Sequence, residues 1–156
     1  ARADNLNNWL GDVGTRLGSL SQRLSASVGR VKLNTALKTE VVAPGQVPQV
    51  DEEIVETPWM QIDNVFYEAR GQAWALSHLL RAIEVDFADV LAKKNATVSV
   101  RQIIRELEAS QEPVWSPMIL NGSGFGVLAN HSLVMANYIS RANAAVIDLR
   151  QLLNQG

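Results

Sequence analysis

The chain has 156 residues, 47% of them hydrophobic and 19% charged, with a formal charge of −2, two His and no Cys. Low charge with high apolar content excludes a disordered tail, and the missing Cys exclude a disulfide scaffold or a thiolate zinc site. Fourteen Lys+Arg against sixteen Asp+Glu lack the basic excess of a nucleic-acid binder, and no apolar run approaches the roughly 18 residues of a membrane span. What remains is a globular domain, long enough to bury roughly two-thirds of its unfolded surface.

Five prolines in two regions (Pro44, Pro48 and Pro58; Pro113 and Pro117) leave three proline-free stretches in which helices can run uninterrupted. The first predicts a helix over 3–31. Leu6, Leu10, Val13, Leu17, Leu20, Leu24, Ser27 and Val31 alternate by four and three residues, the seam of helices packed at a shallow angle. Beside it run Gly11, Gly14, Gly18, Ser21 and Ser25. Each interior glycine costs about 1 kcal/mol of helix stability, so close approach by a neighbouring helix is expected to offset them; fraying of the first turns is the alternative. On the other flank Trp9, Arg16, Arg23 and Arg30 recur every seven residues. This stripe reads as a solvated face neutralised by Asp51, Glu52, Glu53 and Glu56, or as a receiver for a carboxylate ligand, a lipid headgroup or an acidic partner.

Residues 32–58 form one long linker. Extended, it reaches about 90 Å, whereas the preceding helix is only about 43 Å long, so helices one and two can be parallel or antiparallel. Thr57 before Pro58 reads as an N-cap with proline in the first turn. The second helix is predicted over 58–94, with Ile62, Phe66, Ala69, Ala73, Leu76, Leu80, Ile83, Phe87 and Val90 as its seam. His78, Arg81 and Glu84 stand beside that seam. Arg81 and Glu84 can pair along the helix, or with His78 form a polar site inside the bundle.

A short helix over 98–111 follows, with Val100, Ile103, Ile104 and Leu107 as its apolar face. Asn95, Thr97 and Ser99 offer caps, and Ser99 with Gln102 has capping-box spacing. Next, Asn121-Gly122-Ser123-Gly124-Phe125-Gly126 precedes the last helix, predicted over 126–154 with Leu128, Ser132, Met135, Ile139, Ala142, Val146, Leu149 and Leu153 as its seam. Gly122, Gly124 and Gly126 before a helix N-terminus can present amides to an anion, but no strand–helix–strand unit supports a dinucleotide site, and a connector is the plainer reading. His78 and His131 lack HExxH or Glu-x-x-His spacing. No catalytic residue, metal or cofactor is therefore assigned. The fold class is an all-α bundle of three long helices and one short, in a single domain over 1–156.

Four stretches, ARADNLNNWL with RLGSLSQRLSASVG, PWMQIDNVFYEARGQAWALSHLLRAIEVDFADVL, RQIIRELEASQ and LNGSGFGVLANHSLVMANYISRANAAVIDLRQLL, resemble an uncharacterised family of proteobacterial envelope proteins; the linker at 38–56 does not match. The resemblance implies an N-terminal membrane anchor in a longer protein, of which this chain is the C-terminal portion, and a periplasmic position at the inner membrane. It implies no activity. The expected function is a structural or protein-interaction module, meeting a protein partner or a second copy through its helix seams, with no nucleic acid and with membrane only through a segment outside this chain. A ligand-binding or sensory bundle using the glycine loop is the alternative, with Arg16, Arg23, Arg30, His78, Arg81, Glu84, Gly122, Gly124, Gly126 and His131 as candidate contacts.

Overall fold

A computed structural model describes residues 2–28, 30–33, 52–55, 57–116, 118–121 and 130–155. Its helices are α1 (Ala3–Ser27), α2 (Ile62–Asp86), α3 (Ala88–Lys93), α4 (Thr97–Ala109) and α5 (His131–Asn154); two strands, β1 (Arg30–Leu33) and β2 (Glu52–Val55), lie between α1 and α2. The architecture is the expected all-α bundle, three helices of about seven turns and a shorter α4. The seam of α1 from Leu6 to Ser27 is buried at every position, as are all four apolar residues assigned to α4. Periodicity works here because one face of each helix meets the core along its whole length.

Side-chain contacts fix the directions. Asn7 near the start of α1 donates from Nδ2 to Asn154 Oδ1 at the end of α5 (2.7 Å), so α1 and α5 are antiparallel. The Arg23–Glu68 pair and the Thr57 N–H to Ala26 carbonyl bond (3.1 Å) make α1 and α2 antiparallel as well. Arg81–Glu108 and Glu84–Arg101 set α4 against α2, and Arg141–Glu106 sets it against α5. The four helices thus circulate as α1, α2, α4, α5. The α1–α5 face is the most extensive and the α1–α2 face the slightest of the four.

The glycine stripe explains the first of these. A Cβ on Gly14 would meet Asn143 Oδ1 at 3.6 Å and Val146 Cγ1 at 3.7 Å, and one on Gly18 would meet Asn143 Nδ2 at 3.7 Å. The Arg150 guanidinium lies over Gly11, 3.3 Å from where its Cβ would stand, while Arg150 Nε donates to Asn7 Oδ1 (3.1 Å). Close packing, not fraying, is what the glycines serve.

Several boundaries differ from the expectation. Helix one stops at Ser27, four residues early, because the returning chain takes its end: Thr57 N–H occupies the Ala26 carbonyl, and Ser27 Oγ bonds the Arg23 carbonyl and Thr57 Oγ1. Val31 therefore leaves the seam and sits on β1, opposite Ile54 of β2 in an antiparallel ribbon. Thr57 is spent on this junction and does not cap α2, which begins at Ile62, four residues after the expected start, behind a 3₁₀ turn at Trp59–Gln61. Nor does α2 reach 94. The axis bends at Phe87 (φ −110°, ψ 18°) and resumes as α3, a turn that buries Leu91 completely.

At the end of α3, Asn95 adopts φ 53°, with Asn95 N–H on the Ala92 carbonyl and Ala96 N–H on that of Leu91. This is a Schellman ending, and Asn is one of the few residues that tolerate the left-handed position. Asn95 thus stops α3, where the sequence offered it as a cap for the next helix. The Ser99–Gln102 capping box does not form, since Ala96 is the N-cap of α4. The last helix starts at His131, where the Asn130 side chain accepts from Leu133 N–H (2.9 Å). No helix among the described residues is long and apolar enough to cross a membrane.

Candidate functional site

The charges of α2 decide what its outer surface can do. Four charged residues lie between 67 and 85, and each bends sideways to a neighbour. Glu68 takes both guanidinium nitrogens of Arg23 on α1, one at 2.7 Å. Arg70 donates to the carbonyls of Gln111 (2.6 Å) and Glu112 (2.9 Å) beyond α4. Arg81 pairs with Glu108, and Glu84 accepts from Arg101 Nε at 2.5 Å. The expected Arg81–Glu84 pair is therefore not made, and neither residue turns inward toward His78. Both are struts between α2 and α4, Arg81 to Glu108 and Glu84 to Arg101.

With its charges drawn aside, the outward face of α2 is neutral. Tyr67, Gly71, Trp74, His78 and Val85 fall within about 40° of one line at 3.6 residues per turn. All five are exposed; Trp74 keeps 58% of its surface and Val85 75%. The His78 ring stands edge-on to Trp74, centroids 4.5 Å apart. Nothing lies within 4 Å of the position a Gly71 Cβ would take.

This face runs into a groove. Towards Ser27 the Arg23–Glu68 pair holds α1 and α2 together, and beyond it the helices leave a hollow of about 340 Å³. Val13, Leu17 and Leu20 from α1 and Ala75, Leu76 and half-exposed Leu79 from α2 make its walls, with Trp9 on one side and Gln72 on the other. Asp12 and Arg16 mark the rim. Arg16 has no ion pair among the described residues. The hydrogen bonds from Arg23 hold the Glu68 carboxyl below the usual glutamate range, and Glu68 in turn raises Arg23.

The arginine stripe is thus divided. Arg23 is paired with Glu68 of α2, and the side chains of Asp51, Glu52, Glu53 and Glu56 lie outside the described residues. Arg16 borders the groove. Arg30 is carried onto β1, and its side chain lies outside the described residues. Glu52 and Glu53 pair with Leu33 and Lys32 across the ribbon, beyond the end of α1. Gly122, Gly124 and Gly126 lie outside the described residues.

His131 is half-buried and already engaged: its Nδ1 accepts from Leu120 N–H (3.0 Å), and its backbone N–H donates to the Leu120 carbonyl (2.8 Å). An acceptor at Nδ1 places the proton of the neutral ring on Nε2. It borders a second hollow of about 220 Å³ with Arg70, Tyr138, Phe66 and Trp115. His78, 53 positions away in sequence, borders neither of these two hollows. No group of three or more His, Asp or Glu among the described residues could hold a metal ion.

Sequence reasoning missed Tyr67, Trp74, Leu79 and Val85. The signal was there as a second stripe, 67, 71, 74, 78 and 85, parallel to the core seam. It was hidden because exposed apolar residues mean little singly and become a surface only once the charges between them are seen to lean away.

A family model described as "Uncharacterized protein conserved in bacteria (DUF2333)" matches residues 1–156. No curated protein and no solved structure matches the chain.

Proposed function

For this chain, which belongs to the DUF2333 family of bacterial proteins, we propose a non-catalytic role as a protein-interaction module whose docking surface is the α1–α2 groove and the adjoining face of α2. The observation that carries the reading is the neutral, half-apolar outer face of α2, cleared of charge by four sideways contacts. A groove between two antiparallel helices accepts a third that lays an apolar stripe into it, read at i, i+3, i+4 and i+7. Gly71 leaves room for close backbone approach, and unpaired Arg16 at the rim favours an acidic residue on the incoming helix.

The test is a photo-crosslinking residue at Leu79 in cells making the native protein. One defined protein adduct is expected, lost on Ala75→Arg and absent from a probe at Ile147, which is exposed on α5. No adduct, or equal labelling from both sites, sinks the reading.

The resemblance noted in the sequence supports a further part of the proposal: the module belongs to an inner-membrane protein and faces the periplasm. Protease added to spheroplasts should then cleave the region carrying this domain in the native protein, and protection until lysis would place it on the other side. Among the described residues, a ligand-binding role finds support at the hollow beside His131, where Arg70 and Tyr138 add polar groups to an aromatic wall. A rise in melting temperature with a small aromatic acid such as benzoate, lost in His131→Phe, would favour it.

A further inference from the structure

A second apolar surface lies at the end of the bundle where α2 and α5 begin. Between Pro113 and Ser140 the sequence has no Asp, Glu, Lys or Arg, and between Thr57 and Ile62 there is none either. The structure brings Met60 and Ile62 of the second segment against Met118 and Ile119 of the first. Met60 and Met118 border one hollow, closed by Asp63 Oδ1 accepting from Ile119 N–H (3.0 Å). Trp115, three residues from Met118, stands beside Val134 on the first turns of α5. The side chains project: Trp115 keeps 95% of its surface and Met60 83%, and Met118 and Val134 about half each.

We propose that this end is the contact through which two copies of the chain associate about a twofold axis. Three arguments select that occupant. The first is area. Trp115, Met60, Met118 and Val134 together expose on the order of 500 Å² of apolar side chain. A standard interface buries about 800 Å² per partner, of which roughly 56–65% is apolar, so the patch supplies the apolar share of one half-interface. The second is charge. In a twofold contact the same patch lies on both sides, so the uncharged side chains of Trp115, Met60, Met118 and Val134 bring no like-charge repulsion against their own copies. The third separates a second copy from a lipid surface. Bacterial bilayers carrying anionic lipid attract Lys and Arg, but among the described residues the charged ones bordering this patch are Asp63, Glu112 and Arg70, and Arg70 is already tied to two carbonyls.

The surface is separate from the α1–α2 groove, so the two proposals fail independently. Sedimentation velocity of the 156-residue chain from 1 to 500 µM tests this one. A concentration-dependent dimer is expected, with dissociation at tens to hundreds of micromolar, and at least tenfold weaker association in Trp115→Glu and Met118→Glu. Trp115 is almost wholly exposed, so its melting temperature serves as the check that folding is intact. Val85→Glu, on the outer face of α2, should leave the dimer unchanged. A monomer throughout, or a dimer lost only in Val85→Glu, overturns the proposal. So does a monomeric chain that co-sediments with phosphatidylcholine vesicles through Trp115, which would assign the patch to lipid.

Discussion

Gly14→Ala and Gly14→Leu should move stability in opposite directions. The added methyl of alanine would stand 3.6 Å from Asn143 Oδ1 and 3.7 Å from Val146 Cγ1, ordinary contact distances that require nothing to shift. Alanine also removes the helix penalty of glycine, about 1 kcal/mol. For a domain of this size 1 kcal/mol corresponds to about 2–4 °C, and Gly14→Ala should raise the melting temperature by that much. Leucine adds three more carbons into space already held from two sides. Overpacking of a filled interface costs about 1–3 kcal/mol, here towards the upper end because both obstacles sit on the rigid middle of α5. After the propensity gain, a net loss of about 1–2 kcal/mol, or about 2–8 °C, is expected. Gly71→Ala is the internal standard, since its Cβ meets nothing within 4 Å and reports propensity alone. Thermal unfolding followed by circular dichroism measures all three. If Gly14→Leu melts as high as Gly14→Ala, the glycine stripe is not packed against α5 and the reasoning fails.

Three more outcomes follow from single contacts. The folded-state pKa of Glu68 is depressed by its hydrogen bonds from Arg23, so its contribution is present above the ordinary glutamate range near 4.3 and is lost as pH falls through the lower folded value. Both partners are more than a third exposed, so the effect is well under 1 kcal/mol; carboxyl NMR should show the Glu68 titration returning to the ordinary range in Arg23→Gln, and no change would refute the pair. At His131, nitrogen NMR should find the neutral ring protonated on Nε2, and His131→Phe, which strands the Leu120 N–H, should cost about 1–3 kcal/mol; an Nδ1–H tautomer would contradict the geometry. At Asn95, glycine should be neutral or better, whereas Asn95→Val, with a β-branched residue at φ 53°, should destabilise by about 1–2 kcal/mol. Equal melting temperatures for the two would exclude the Schellman ending.

Repeating local patterns made the fold legible in the sequence. The leucines of α1 and the four apolar residues of α4 recur in phase with the helix, and burial follows phase. The glycine stripe was readable as a packing face, but not against which helix, because Asn143 and Val146 lie about 130 positions away. Polar pairing was less legible. Arg81 and Glu84 suit each other by spacing, yet Glu108 and Arg101 take them, and a local rule carries no information about a neighbour's charges. The same applies to Asn95 and Thr57, whose side chains suit caps in general, while the direction of the chain after them decided their use. The docking face lay deepest, because Trp74 and Val85 gain meaning only from where Glu68, Arg70, Arg81 and Glu84 have gone.

The bond between Asn7 and Asn154 spans 147 positions, and it lies on the broadest face of the bundle. During synthesis at about 5–20 residues per second, the ribosome needs roughly 5–25 s to go from the end of α1 to the end of α5. For that interval the α1 seam from Leu6 to Leu24 has no α5 to cover it, and α2, its other neighbour, offers only the slighter face. The nascent chain therefore carries an unshielded leucine ridge until the last helix emerges. Chains that stall before α5 should be targets for holding chaperones and proteases, and release of the last helix, not of the first three, should mark the moment they become resistant.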